Sequence, residues 1–592
     1  MKTYKLQWIG AMIIASILTV SAQDDPLMSR EMTLEREYDP TVQDASKINT
    51  LPEVKEPTIQ KRAIEYAPFT LPVSPSKEMV VLPSGDVKTD LDYHRKRGYL
   101  NFGIGTRMNI NGDLGYHFID THKDLFGFYF THRSTNGNVK YFMHDEESGL
   151  ASQGEEVVDK HKIKINDNLA SLFYKHQFAN SLFKISGDYG NYQYNYYGRG
   201  YAIPGTSSLW DPTFVDFLES DKGTRQANQV IKANVGLESK KELDVTYLFD
   251  LNYTLLDQKY GAAKSFDGLK EHTINGNIGT SVLLGGTYNA RVCVGGMFNY
   301  FKYSLPSELE ELYENYFEGT IAPAFTLEGG SWDLRLGAKL MFLTGDNKKI
   351  FVSPDITFDV KMANKTMLYL KAGGELRSNS VYQLMQENRY ATTQFALAPS
   401  RIPLDVKGGI KSGVIPGGWF DIFAGYTIIK DDYFYAPGRI YNDAHFMRIS
   451  TFDQIESKRF YAGASLKYNY RDLFEMRLKG VYNDWKSEFN SEDVTTYSRP
   501  EMEINAGVSV KPIKPLNIAL DYYLGTGIYA RIFPSDLKMN NINELNLTAS
   551  WKLNDMFGIY LKGSNLFNQK YELYYGYPMQ GINVMAGINI NF

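Results

Sequence analysis

From residue 98 to residue 592 the sequence keeps one rhythm: an alternating apolar and polar stretch, a turn of a few residues, a second such stretch, then a longer polar connection. Tight turns recur at Asn180, Lys240, Gly285, Gly329, Asn364, Gly417, Asp472, Ile513 and Asp555. The intervening connections run long, as from Ser134 to Ile165 and from Asp431 to Ser457. Short turns on one side and long loops on the other are the habit of an up-and-down antiparallel barrel in an outer membrane. The chain is therefore read as all-β, a large transmembrane β-barrel.

The last strand carries the alternation most cleanly. Ile582, Val584, Ala586, Ile588, Ile590 and Phe592 share one parity, and Asn583, Met585, Gly587, Asn589 and Asn591 the other. Successive strand side chains point to opposite faces, so one set suits lipid and the other a wet lumen. The same holds for Leu545, Leu547, Ala549, Trp551 and Leu553, and for Trp332, Leu334, Leu336, Ala338 and Leu340. A soluble sandwich also alternates. Its packed core, however, could not satisfy the Lys, Arg, Asp and Glu that recur on the inward parity of strand after strand, whereas a hydrated lumen can.

Composition enters here. The chain is 14% aromatic, with 43 Tyr and 34 Phe gathered near strand ends, as interfacial girdles require. Beyond the N-terminus no apolar run reaches the about 18 residues that a membrane helix needs. A mean hydropathy of -0.34 suits a barrel, which shows lipid only alternate side chains. A net charge of -5 gives no basic field, so a nucleic-acid partner is not expected. The surrounding partner is outer-membrane lipid.

Lys2 and Lys5 precede an apolar run from Trp8 to Val20, and Val20-Ser21-Ala22 fits a small-residue cleavage pattern. Residues 1–22 are thus expected to be a signal peptide, with the mature chain starting at Gln23. Between Gln23 and Arg97 lie eight of the 22 Pro but one of the 50 Gly. Such Pro spacing breaks helices and central strands, so residues 23–97 read as an extended periplasmic arm that envelope proteins or the lumen could order. From Gly98 the count comes to about 22 strands, the size of a transporter-type barrel. An even number leaves both ends on the periplasmic side.

The expected outer loops are residues 134–165, 197–226, 257–267, 304–312, 379–401, 431–457, 486–498, 529–540 and 568–580. Trp210, Phe214, Tyr382, Tyr433 and Tyr435 stand in or beside them and are the candidate ligand contacts, since aromatic faces make stacking platforms. Self-packing loops look identical in sequence, and Tyr192, Tyr194, Tyr196, Tyr197 and Tyr201 could serve either way. No catalytic residue, metal ligand or cofactor is assigned. The nine His are scattered, no Gly-x-Ser-x-Gly or His-Glu-x-x-His occurs, and His144-Asp145-Glu146-Glu147 reads as a solvated acidic loop. The single cysteine, Cys293, falls inside a strand and is expected only to pack.

Near the C-terminus stand Gly563-Ser564-Asn565-Leu566-Phe567-Asn568-Gln569-Lys570-Tyr571, then Tyr577-Pro578, Gly581 and a final strand ending in Phe592. This segment resembles the C-terminal signature of TonB-dependent receptors, and Asn379-Ser380-Val381-Tyr382-Gln383-Leu384 resembles their mid-barrel pattern more loosely. The resemblance implies a receptor-type barrel over residues 98–592, with Phe592 as the aromatic that marks the chain for the barrel-assembly machinery. It does not extend to the family's plug, because nothing in residues 23–97 resembles the plug's Gly-rich strands or its Ile-Arg-Gly element. Glu31-Met32-Thr33-Leu34 and Glu78-Met79-Val80-Val81 are acidic and then apolar, as TonB-pairing motifs are, but such pairs occur by chance. Energy-coupled transport through TonB is accordingly not carried over. Two functions remain: passage of a solute across the outer membrane, or a non-transporting accessory barrel whose arm recruits envelope partners.

Overall fold

The computed structural model describes residues 96–592 except 143–155, 199–224, 262–266, 346–347, 364, 394–395, 443–444, 490–491 and 533–534. One antiparallel sheet of 23 strands runs through them, and one member, Glu492–Val494, is a short rung on Phe474–Phe489. The other 22 close into a ring. Closure is made by the first strand, Gly98–Gly105, pairing with the last, Asn583–Asn591. Gly98 N donates to Phe592 O at 2.7 Å and Phe592 N returns to Gly98 O at 2.9 Å. A Cβ at Gly98 would stand 2.5 Å from the Phe592 ring, so the seam closes this tightly only over glycine.

The parity read from the sequence is the parity of the wall. On the last strand Val584 and Ile588 are exposed outward, while Met585 is buried on the lumen side. On Trp332–Leu343, Leu336 and Leu340 face out while Arg335 Nε donates to Asp355 Oδ2 at 2.9 Å inside. Charged residues line the lumen in diagonal pairs between neighbouring strands, among them Arg133 with Asp113 and Lys184 with Glu238. Exposed aromatics such as Phe118, Phe178, Tyr288, Trp419, Tyr470 and Phe557 collect within a few residues of the short turns, where a girdle belongs. Cys293 sits in the strand Ala290–Ser304, partly buried, with outward Val292 and Val294 on either side.

Eight of the nine expected tight turns are present, and the ninth, Asn364, lies outside the described residues between the paired ends Ala363 and Thr366. A tenth, between Asp120 and Asp124, was not expected from the sequence. The reason is local: a bulge between His117 and Ile119 shifts the register, so apolar Phe118 and Ile119 run consecutively and the alternation blurs before the turn. Two expected loops, 134–165 and 431–457, are ladder in their described parts, residues 143–155 and 443–444 lying outside the described residues. Strands Asp124–Phe142 and Glu156–Gln177 stay paired as far as Phe142 with Glu156, and Gly418–Asn442 and His445–Tyr470 as far as Asn442 with His445. The latter two strands hold 25 and 26 residues, more than twice the about 9–11 that cross a bilayer. Where a ribbon runs on past the length a bilayer needs, nothing requires one face to be apolar, so backbone pairing continues while the polarity pattern that betrays it disappears. The loops at 529–540 and 568–580 carry small hairpins, Tyr529–Ile532 with Ser535–Lys538 and Glu572–Tyr574 with Tyr577–Pro578. Residues 1–95, which include the expected signal peptide and nearly all of the arm, lie outside the described residues.

Candidate functional site

The connection from the thirteenth strand, Thr366–Arg377, to the fourteenth, Ser400–Ser412, turns into the barrel mouth. It contains the one α-helix of the described residues, α1, Val381–Glu387. Ser380 starts the helix with a capping box: its hydroxyl accepts from Gln383 N at 3.2 Å, and the Gln383 side chain accepts from Ser380 N at 3.3 Å. Two further helix N–H groups, of Val381 and Tyr382, donate to the Glu271 carboxylate at 2.7 and 3.2 Å. Glu271 belongs to the eighth strand, Lys270–Gly285, and is 1% exposed. A carboxylate at a helix N-terminus satisfies orphan donors and opposes the helix dipole favourably, so the wall grips the loop by its polar end.

The apolar face of α1 does the rest. Val381 and Met385 pack with Val230, Leu256, Leu269 and Leu309 against the inner wall. Beyond the helix, Arg389 reaches Asp167 on the fourth strand with nitrogen–oxygen distances of 3.3 and 3.0 Å. Burial works against the charged guanidinium, but the Asp167 carboxylate more than offsets this and holds its pKa above the ordinary value. The fourth and fourteenth strands are ten apart in a ring of 22, almost opposite, so the loop crosses the lumen.

Aromatic packing seals what the loop spans. Tyr390 stacks on Tyr577 with ring centroids 4.1 Å apart, and Tyr197 meets both edge-on at 5.3 and 5.1 Å. Tyr194 and Tyr196 complete this cluster. Next to it Tyr433 donates to the Glu387 carboxylate, Tyr574 donates to Glu387 O at 3.0 Å, and Tyr435 meets Tyr574 at 5.1 Å. The stem of the long ribbon is pinned by Arg499, whose nitrogens donate to the fully buried Asp432 at 2.8 and 2.9 Å while its Cζ lies 4.2 Å from the Phe434 ring centre and 4.8 Å from that of Trp485.

The candidate contacts named from the sequence are thus placed as follows. Tyr382 lies on α1, partly buried, with Lys232 Nζ 4.7 Å from its ring centre, and burial pushes its phenol up to about 12. Tyr433 and Tyr435 are buried inside the seal at 7% and 6% exposure. Trp210 and Phe214 lie outside the described residues, as does the His144 acidic stretch. Glu271, Arg389, Tyr390 and Tyr574 were not singled out from the sequence. Ser380-x-x-Gln383 was readable there as a helix start, though nothing pointed to Glu271 as its partner.

Behind the loop is a cavity of about 460 Å³. Its walls include Gln258, Tyr303, Tyr313, Tyr316 and Glu310, with Asn379 and Arg389 from the loop.

A closed ring of 22 antiparallel strands is a fold that solved TonB-dependent siderophore receptors also show. The siderophore receptor PirA from Acinetobacter baumannii superposes with a TM-score of 0.61 at 10% identity, over 84% of this chain and 81% of that one. The FrpB iron transporter from Neisseria meningitidis gives 0.62 at 11% identity, over 84% and 82%. The ferric-catecholate import receptor Fiu from K12 E. coli gives 0.59 at 10% identity, over 84% and 82%. No protein-family model and no curated protein matches the sequence. These similar structures are transport receptors rather than enzymes, and at such identities the likeness is one of fold.

Proposed function

We propose that this chain is a bacterial outer-membrane transport receptor that admits a solute through its lumen, with residues 378–399 as the gate at the outer mouth. The observation that carries the reading is the loop that leaves the thirteenth strand, crosses to Asp167 almost opposite, and is held by Glu271, Tyr577 and Tyr574. A barrel of this strand number is too wide for side chains from the wall alone to fill, so what crosses it controls passage. Anchors of this kind are separable contacts, and a few of them released together would free the loop without disturbing the wall. The outer-loop aromatics Tyr382, Tyr433 and Tyr435, with Trp210 and Phe214, would meet the arriving solute as the seal loosens. Residues 23–97 would lie on the periplasmic side, available to the lumen or to envelope partners.

Arg377 and Ser400 are paired across the two strands, so a short turn can replace residues 379–399 without altering the wall. Planar-bilayer conductance of the mature chain, of this loop-replaced chain and of one lacking residues 23–97 tests the reading. Loop replacement is expected to open a large ohmic pore, alone or together with loss of the arm. If all combinations stay closed and no solute binds, the transport reading fails and an accessory barrel is the better account.

A further inference from the structure

Beside the seam of the barrel is a second cavity, of about 240 Å³, walled by the last strand, by its neighbour Phe557–Ser564 and by the second and third strands. Two cations line it, Arg133 and Lys562, and among the described residues no carboxylate does. Arg133 is already committed: Nη2 donates to Asp113 Oδ1 at 2.6 Å, and Nη1 to Gly112 O and His132 O at 3.1 and 2.8 Å. The Lys562 ammonium, in contrast, meets no hydrogen-bond acceptor, ion-pair partner or aromatic ring among the described residues, and it stays open to the lumen. Glu544, on the adjoining strand Ile542–Lys552, is engaged instead by Tyr571 and Asn546. Other lumen lysines are held: Lys184 reaches Glu238 at 2.9 Å, Lys339 donates to Gly374 O at 3.0 Å, and Lys411 Nζ lies 4.7 Å from the Tyr369 ring centre.

A lone lysine in a wet lumen needs no partner. What singles out Lys562 is the company it keeps in a walled space. Asn109 Nδ2 donates to Asn583 Oδ1 at 3.0 Å, Asn583 Nδ2 to Gln580 Oε1 at 2.8 Å, and Gln580 Nε2 to Thr135 Oγ1 at 2.8 Å, so the amides along one side are fixed in direction. Thr135 receives a bond there and keeps its own proton, while the Ser564 hydroxyl meets no partner and, like Lys562, is open. An ammonium with hydroxyl donors beside it suits a carboxylate or a phosphate, whose hydrogen bonds to a cation are the strong kind. Asn109 and Asn111 turn their Nδ2 groups to Asn583 Oδ1 and Met585 Sδ, which leaves two amide oxygens for the hydroxyls of the same molecule.

The cavity also stands where a solute would pass. Ile165, in its wall, packs against the cluster of Tyr194, Tyr197 and Tyr577, and Val139 and Ile163 of that cluster lie further out along the same two strands. Arg133 is the register partner of Asp167, the residue that holds Arg389 of the gate. Whatever slips past the seal on this side meets Lys562 next.

We infer that this cavity binds a small hydroxylated anion, a sugar acid or sugar phosphate, through Lys562, and that such an anion is the solute class the gate admits. The second half of this rests on the transport reading above and sharpens it.

The test is calorimetric titration of the mature full-length chain, in detergent and phosphate-free buffer, with glucose 6-phosphate and with gluconate, beside glucose as the neutral analogue and glucosamine as the cationic one. Both anions are expected to bind saturably, and glucose and glucosamine about tenfold more weakly or worse. Lys562→Gln is expected to weaken both anions about tenfold or more while the barrel keeps its heat-modifiable gel mobility, and Lys562→Arg, which restores the charge, to recover most of the affinity. No binding of either anion, equal anion binding by the Lys562→Gln chain, or preference for glucose or glucosamine overturns the inference. The loop-replaced chain, measured in parallel, keeps the two readings apart: a pore that opens on loop replacement in a protein that ignores both anions leaves transport standing and removes only the anion site.

Discussion

Replacing Glu271 by glutamine tests the gate at its firmest hold. In the native wall the carboxylate accepts from Val381 N and Tyr382 N, at 1% exposure. The Glu271→Gln amide keeps one acceptor but turns an NH2 toward the other helix N–H, leaving a buried donor unsatisfied. That costs about 1–3 kcal/mol, and loss of the negative charge at the helix N-terminus adds about 0.3–1. The docked state therefore loses about 1.3–4 kcal/mol, a shift of about 8- to 700-fold in the docked-to-released ratio at tenfold per 1.4 kcal/mol. Single-channel recording should show a proportionate rise in the fraction of time open, with the unitary conductance of any opening unchanged because the wall is intact. Ser380→Ala removes only the capping hydroxyl, worth about 1 kcal/mol, and should raise the open fraction about fivefold. The reasoning is refuted if Glu271→Gln opens no more often than the native chain while replacement of residues 379–399 does open the pore, for then the loop is held elsewhere.

Arg499→Ala leaves the Asp432 carboxylate buried at 0% exposure without its ion-pair partner, which typically costs about 3–5 kcal/mol. Loss of protease resistance in the ribbon formed by Gly418–Asn442 and His445–Tyr470 is expected at temperatures where the rest of the barrel keeps its gel mobility. At the seam, Gly103 and Gly587 are register partners, and a Cβ at either would stand 2.2–2.3 Å from the Tyr560 side chain. Gly103→Val should therefore slow or prevent closure, read as a band that migrates as unfolded before heating, whereas Gly103→Val combined with Tyr560→Ala should recover part of the folded band, because the nearest atoms to a Cβ at Gly103 are side-chain atoms of Tyr560 and Met585.

The wall was legible because a barrel strand must alternate, and residues 582–592 show this without help from context. Failures came where that physical requirement lapses. Between Thr135 and Phe142, and beyond Tyr435, the strands run on past the length that spanning requires and nothing forces alternation, so paired ribbons looked like loops. The C-terminal Asn565-Leu566-Phe567-Asn568 segment was recognised by resemblance, and its chemistry is a turn. Asn565 and Asn568 both take φ near 50°, and the Asn565 amide bridges Gln569 O and Gln580 O. The aromatic seal was half visible: Tyr433 and Tyr435 were singled out, but their partners come from segments more than 40 residues away, such as Glu387 and Tyr574. Alternation reports which face a residue takes and carries no word of what it will meet across a lumen.

The strand that opens the ring and the strand that shuts it are separated by nearly the whole chain, and they meet residue by residue from Tyr99 with Asn591 to Gly105 with Met585. Until Phe592 has been made and delivered, the growing sheet has two raw edges, each a row of unpaired amides ready to join any neighbouring strand. No partial product of translation can be a finished barrel, and this pairing, the longest in range among the described residues, cannot form before the last strand is made. The cell must therefore shelter an open sheet for the whole time the chain is in transit, and an error at the final few residues would be as costly as one at the first.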